Sequence, residues 1–380
     1  VAFRRYLDVH ILQTVPPANL NRDDQGNPKE AYFGGVRRSR VSSQAWKRAT
    51  RMAFTDHGLP VAESGVRTKR VIAKLAALVT ERSSGVDAET AGRLATTVLS
   101  TLGIKEGKKT GDTAYLLFYG RRQLAAVADL IAPRAADLAA LEDSALKSEL
   151  AKLPIVQTLG TGHPVDVALF GRMVADVPAL NVDAATQVAH ALSTHATELE
   201  FDYFTAVDDE NEAEELGAGM IGAIGFNSAT LYRYASIGLH QLLDNLADAE
   251  AARRAVELFV RSFVRSMPTG YGNAFAHRTL PHLVAISVRA DQPVNLVSAF
   301  ENPVPPGQGI AAASARRLAR EQHTAVSTWG DRPLHTGLCH SFPDDNETAA
   351  ALVEAFGPAR SFADLLTDLN TYLADLGEHA

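Results

Sequence analysis

Cysteine is almost missing from this chain of 380 residues: Cys339 is the only one. A single thiol excludes an internal disulfide framework, a thiolate zinc site and a C-x-x-C redox centre within one copy, and it fits a reducing, cytoplasmic setting. Long apolar runs are missing too. No stretch approaches the roughly 20 residues that span a bilayer, and Asp8 and His10 interrupt the apolar N-terminal run, so a soluble, unexported protein with no membrane partner is expected. There is no H-E-x-x-H pair, and His190/His195 and His277/His282 stand five apart, against the spacing of a metal-binding helix face. No G-x-S-x-G elbow presents a nucleophile. GAGMIG, with Gly217, Gly219 and Gly222, matches a dinucleotide fingerprint only formally, because the carboxylate-rich DDENEAEE precedes it where an apolar strand is required. GIKEGKKT, Gly103 to Thr110, has the wrong spacing for a Walker loop and reads as a mobile, Lys-rich loop. Neither a metal nor an organic cofactor is expected.

What is present is ordinary globular composition, 46% apolar and 21% charged, in a chain of 40.7 kDa. That is two to three domain-lengths at roughly 150 residues each. The net charge of −7 hides a strong asymmetry. Residues 1 to 51 carry ten basic and four acidic groups, a net of +6, which leaves 27 basic and 40 acidic residues elsewhere, a net of −13. From Ala31 to Thr55 there are six basic residues and no acid. One-sided basic patches are the footprint of phosphate binding, whereas solvated structural faces mix signs. The opposite extreme, Thr197 to Phe226, has nine acids and no Lys or Arg. It is either a solvated loop or a segment that meets the basic module of another copy, head to tail. Asp23 and Asp24 lie beside the basic run. They are turn formers, or alternatively carboxylates able to assist attack of a ribose hydroxyl on phosphate.

Along the chain, Phe3 to Gln13 alternates with Leu7, Val9 and Ile11 on one side, which predicts a strand. A long loop with Pro16 and Pro17 follows. Ser42 and Ser43 supply an N-cap for a helix over Gln44 to Phe54, with Gln44, Lys47, Arg48 and Arg51 on one face and Trp46, Ala49 and Ala53 on another. Residues 57 to 159 read as helices without strands. Val165, Val167 and Leu169 alternate as a short strand, as do Leu231, Arg233, Ala235 and Ile237; Ala249 to Phe263 predicts a helix and His282 to Arg289 a buried strand. Two or three helices close the chain, one capped by Ser361 with Asp364 at its third position. Strand, helix, strand, strand, helix, strand is an α+β order that matches the ferredoxin-like or RRM-like unit.

LNRDDQGNPKEAYFGGVRRSRVSSQAWKRATR, Leu20 to Arg51, closely resembles the signature of the CasC family, the repeated backbone subunit of the Cascade surveillance complex in type I-E CRISPR systems. DVALFGRM (Asp166 to Met173), AHALSTH (Ala189 to His195), DYFTAVDD (Asp202 to Asp209) and LYRYASIGL (Leu231 to Leu239) extend the resemblance in order. It implies an RRM-like palm in residues 1–56, 160–191 and 227–300, helical fingers in 57–159, a protruding thumb in 192–226, and a helical region in 301–380 packed on the palm. The resemblance further implies that guide RNA lies against Arg22, Lys29, Arg38, Arg40, Ser42, Gln44, Lys47, Arg48 and Arg51. Met173, Tyr203, Phe204 and Thr205 would wedge into the guide, or the aromatic pair would anchor the thumb in a neighbouring copy. Lys105, Lys108, Lys109, Lys147 and Lys152 are the candidates for contact with target DNA. The partners so implied are the guide RNA, target DNA by way of the guide, further copies of the chain and other Cascade subunits. The implied role is non-catalytic, and the alternative is a ribonuclease using Asp23 or Asp24.

Overall fold

The computed structural model describes residues 4–206, 220–307, 309–344 and 346–378. The chain opens with β1 (Arg5–Ala18), β2 (Glu30–Phe33), β3 (Val36–Val41) and α1 (Ser43–Asp56). It continues with β4 (Gly65–Thr68), α2 (Val71–Arg82), α3 (Ala88–Thr101), β5 (Leu117–Gly120), α4 (Arg121–Ile131), α5 (Ala135–Ala139), α6 (Asp143–Leu150), α7 (Ile155–Gly160) and α8 (Val165–Phe170). Next come β6 (Thr186–Val188), β7 (Ala191–Ser193), β8 (Glu200–Ala206), β9 (Met220–Gly238), α9 (Leu239–Leu246), α10 (Ala249–Arg265) and α11 (Gly272–Phe275). The remainder is β10 (Leu283–Ala290), α12 (Ile310–Trp329), β11 (His335–His340), α13 (Glu347–Phe356) and α14 (Phe362–Glu378). Two compact units result, one of residues 1–57, 187–240 and 256–380, the other of residues 58–186 and 241–255.

The first unit is built on a sheet in the order β11-β10-β1-β9-β7-β3-β2, with β6 and β8 also paired to β9. β1 is central and buried on both sides. Leu7, Val9 and Ile11, opposite Ile237, Ala235 and Arg233, form one face; His10 and Leu12, opposite Tyr234 and Tyr232, form the other. On the first face the Arg233 guanidinium lies 3.7 Å from the ring centre of Trp46 in α1 and 4.6 Å from that of Phe263 in α10. It donates to Gln13 Oε1 at 2.6 Å and to the Phe263 carbonyl, and burial pulls its pKa down to about 9. A buried cation held between two π faces and two acceptors fixes α1 and α10 against the sheet. The second face is covered by Leu318 of α12 and Leu352 and Phe356 of α13. There Asp8 is paired with Arg289 at 2.9 Å and accepts from Tyr234 and from the Val294 amide. The two polar residues that interrupt the N-terminal apolar run are thus interior residues of a strand.

The second unit packs Leu75 and Val79 of α2, Leu94 and Val98 of α3, Val127 and Ile131 of α4, and Leu146 and Leu150 of α6 into one core. Its β4 and β5 form an antiparallel pair. These two strands correct the expectation that residues 57–159 are helical throughout. Each has four residues, and their partnership spans about fifty residues of sequence, so neither shows a readable period. The strand expected at Val165, Val167 and Leu169 is instead helix α8. Its side chains are buried on several sides, Asp166 included, whose Oδ1 accepts from the Gly65 amide at 2.8 Å; five apolar-rich residues satisfy either period. Residues 160–186 accordingly group with this unit, and the strand that precedes the hairpin of the first unit is β7.

Three further differences concern the first unit. β1 runs on through Pro16 and Pro17, because the register with β9 shifts between Val15 and Ala18 and the missing amides fall at that irregularity. The supposed loop after it contains the β2–β3 hairpin, turned by Gly34 and Gly35, both at positive φ. Between the closing helices α12 and α13 lies β11, an added edge strand on β10. The expected Ser361 cap is present: its hydroxyl accepts from the Asp364 amide at 3.1 Å and donates to the Asp364 carboxylate at 2.7 Å. Among the described residues, no helix is long and apolar enough to cross a membrane.

Candidate nucleic-acid interface

The basic segment folds around three short-range devices in the first unit. Asp23 Oδ1 accepts from the backbone amides of Gln25 and Asn27, each at 2.9 Å, an Asx turn that closes the loop after β1. Asn19 ties that loop down by donating to the carbonyls of Gly26 and Gly225, each at 2.9 Å. Asn21 Oδ1 accepts from the Ser42 amide at 2.9 Å, and the Ser42 hydroxyl caps α1 by accepting from the Ala45 amide at 3.3 Å. Loop and helix start are thereby one structure.

On α1, Trp46, Thr50 and Phe54 point into the core. Gln44 and Arg48 are exposed, and Lys47 and Arg51 are half-buried, so the expected polar stripe is on the outer face. Arg48 lines a cleft of about 710 Å³ together with Arg22, Asp23, Asp56, Tyr271 and Arg278. The far wall is the loop after α10. Gly270 lets it approach: a Cβ there would lie 2.5 Å from the carbonyl oxygens of both Asn19 and Leu20. Tyr271 follows with φ 48°, a left-handed conformation that costs an aromatic residue about 1–3 kcal/mol. Its ring carries the Arg22 guanidinium 4.7 Å from the centroid.

Other residues of the basic run are arranged differently. Arg38 is wholly buried, and its guanidinium donates to the carbonyls of Phe33, Ser193, Phe300 and Glu301 at 2.8–3.2 Å. It is an interior brace, which corrects its assignment to an RNA-facing set. Ser42 is buried as the helix cap, so its hydroxyl serves the fold. Arg40 is half-buried, donating to the Glu30 carbonyl at 3.0 Å and meeting His190 Nδ1 at 3.0 Å. Burial first, and then Arg40 and Lys29, lower the His190 pKa, which keeps the ring a neutral acceptor. Lys29 is half-buried. Asp24 is exposed, and Asp23 is committed to its turn.

The thumb expected at 192–226 contains the antiparallel β8–β9 pair; residues 207–219 lie outside the described set. Asp208, Asp209, Glu210, Glu212, Glu214, Glu215, Gly217 and Gly219 belong there. Tyr203 is 65% exposed, and so is Phe201, at 62%, two residues before it on the same face. Their cross-strand partners are Ala223 and Gly225, too small to cover them. Phe204 points the other way, onto Gly222, where a Cβ would lie 2.4 Å from its ring. Thr205 is exposed. Met173, 82% exposed, belongs to the second unit. So do Lys105, Lys108, Lys109, Lys147 and Lys152, all exposed. The first three sit on a hydrogen-bonded turn, with the Gly107 amide donating to the Asp112 carbonyl at 2.8 Å and the Ala114 amide to that of Lys105 at 2.9 Å. Lys152 is paired with Glu149 at 2.5 Å.

Sequence reasoning missed Arg278 and Phe201 and assigned no role to Tyr271. Gly-Tyr-Gly in a Pro-preceded loop was a readable sign of special backbone, but the approach of that loop to Arg22 is a tertiary fact. Among the described residues, no group of three or more His, Cys, Asp or Glu could hold a metal ion.

Fold and site together define an α+β protein with a cleft in which Arg22, Arg48 and Arg278 outnumber Asp23 and Asp56 and Tyr271 supplies an aromatic ring, chemistry that suits phosphate-bearing ligands. The chain belongs to the CT1975-like protein family, whose profile matches residues 7–367. A solved chain of a CRISPR RNA-guided surveillance complex (pre-nicking) is similar to it at 33% identity and a TM-score of 0.83, covering 97% of this chain and 99% of that one. A second, from a CRISPR RNA-guided surveillance complex, is 30% identical with a TM-score of 0.73 and covers 97% and 99%. A comparison with curated proteins finds no match.

Proposed function

We propose that this chain is a backbone subunit of a Cascade-type CRISPR surveillance complex, of type I-E, that binds guide RNA without cutting it and polymerises head to tail along it. The observation that carries this is end-to-end likeness, 97% of this chain against 99% of another, to a chain from an RNA-guided surveillance complex. β1, α1, β7, β9, α10 and β10 stand in sheet order β10-β1-β9-β7, which supports reading the first unit as an RRM-like palm. The cleft arginines and the α1 stripe would hold phosphates, leaving base edges free to pair with target DNA. The exposed lysines of the second unit would contact that DNA, the β8–β9 hairpin would serve as the thumb, and the other Cascade subunits would dock in the cytoplasm. Engagement of Asp23 by two backbone amides weighs against a ribonuclease built on it.

The test is to co-express the chain with a CRISPR repeat-spacer transcript and its companion subunits, purify through a tag on this chain, and run the nucleic acid on a denaturing gel. Intact RNA of discrete guide length in a large particle is expected. Absence of RNA removes the proposal. RNA cut at regular spacing, and restored by Asp23→Ala or Asp24→Ala, replaces it with the ribonuclease.

A further inference from the structure

We infer that the Arg22–Tyr271 stack is a nucleobase platform: a single strand entering the cleft stacks one base there, while Arg48 and Arg278 take neighbouring phosphates. This rests on the RNA-binding reading and adds a base contact to a surface otherwise built for phosphates.

Four observations converge. The cleft of about 710 Å³ is of ligand size and joins three arginines to one aromatic ring, with Asp23, committed to its turn, and Asp56 as its acids. Tyr271 and Arg278 also line a second concavity, of about 750 Å³, along residues 267–278. The ring therefore stands where two hollows share a wall, which suits a polymer passing over it better than a lone mononucleotide. The guanidinium lies 4.7 Å from the ring centroid. Such a pair is a cation–π contact, and aromatic faces and arginine planes are what unpaired bases stack on. Finally, the ring is held rigidly. Tyr271 and Ala276 are both left-handed, Gly270 is lodged against two carbonyls, Phe275 packs edge-on to Tyr271 at 6.3 Å, and Phe226 of β9 lies 5.8 Å from Phe275. A strained, non-glycine backbone at a cleft is where function is to be sought. A plain loop staple between Arg22 and Tyr271 would make no distinction between RNA with bases and RNA without them.

That distinction is the experiment. Binding of the full chain is measured for a single-stranded RNA oligonucleotide and for an abasic ribose-phosphate oligomer of equal length and charge, with wild type, Tyr271→Leu and Tyr271→Phe. Tyr271→Leu should weaken binding of ordinary RNA roughly 5- to 150-fold and leave the abasic oligomer unchanged, with the salt dependence preserved. Tyr271→Phe should bind as wild type does. Equal weakening of both oligomers, or of neither, overturns the platform and spares phosphate binding. Failure of the wild-type chain to bind either oligomer overturns both. Should Tyr271→Leu not fold, ultraviolet crosslinking of bromouridine-substituted RNA to the wild-type chain decides: adducts in the 268–278 loop are expected, and adducts elsewhere alone overturn the inference.

Discussion

Arg38 donates to four backbone carbonyls inside the first unit, whereas Arg48 stands exposed on α1 and lines the cleft. They are ten residues apart in one basic run, and only burial separates them. Arg48→Ala should weaken RNA binding alike for all sequences and reduce the magnitude of the salt slope by about 1 per copy, with stability unchanged. Arg38→Ala should lower unfolding stability by about 3 kcal/mol, because a buried charged donor is lost and four carbonyls are left without it. A salt titration and a urea melt on each variant check the pair; an unchanged slope for Arg48→Ala counts against phosphate contact. His10 makes a second residue-scale prediction. It is fully buried, Nδ1 lies 2.9 Å from the Tyr232 hydroxyl, and burial, helped by Arg289, pulls its pKa down to about 3. The folded protein therefore keeps His10 neutral while the unfolded chain protonates it below the ordinary value of 6.5. Stability is present above pH 6.5 and is lost on acidification towards pH 3, at about 1.4 kcal/mol per pH unit from this group. Denaturant melts at pH 7 and pH 5 should show His10→Gln losing about one proton less of this dependence than wild type, and equal slopes would refute it.

At the scale of elements, what was legible had either a long period or a local chemical device. α1 was readable because a capping serine, an inward Trp46 and an outward Gln44 and Arg48 stand at helical spacing, although its inner face is completed by Thr50 and Phe54, and the expected Ala49 and Ala53 line the cleft beside Arg48. β10 and α10 were readable for the same reason of length. β4, β5 and α8 were not, since four to six residues do not distinguish the two periods and their identity depends on partners far away in sequence. The β2–β3 hairpin was a missed signal, with Gly34-Gly35 between two polar-apolar runs. The candidate site divides along the same line: the stripe on α1 lies in one helix, but the cleft needs the 268–278 loop, which only the fold brings to Arg22. Gly270→Ala tests that dependence. Its Cβ would meet two main-chain oxygens that no side-chain rotation can move aside, so the loops must part. The expected result is a loss of about 1–3 kcal/mol in stability and weaker RNA binding at unchanged helix content, followed by circular dichroism and a binding titration. Full retention of RNA affinity would show that the cleft does not depend on this contact.

For the molecule as a whole, the decisive property is that charge is separated along the chain, +6 in residues 1–51 against −13 elsewhere. Self-repulsion among the basic groups would be relieved by meeting the acidic segment of another copy, and a contact of that kind would be heterologous and open-ended, as the proposed head-to-tail assembly requires. Part of the acidic cluster, Glu198, Glu200 and Asp202, is described at the start of the hairpin; Glu212, Glu214 and Glu215 lie outside the described residues. Reversing the latter three to lysine changes the local charge by six units and should weaken each contact between copies roughly tenfold or more, since complementary charge mainly sets encounter rate and excludes wrong partners. Sedimentation of the complex should then show smaller particles on the same guide, and wild-type particles should shrink towards that size as salt is raised and screening shortens the reach of the acids. The binding of one copy to a short RNA should not fall, because these residues are acidic and cannot be its phosphate ligands. Unchanged particle size at low salt would sink the charge-contact account and leave the acids as a solvated segment, whereas loss of single-copy RNA binding would place the segment near the nucleic acid instead of near a neighbouring protein.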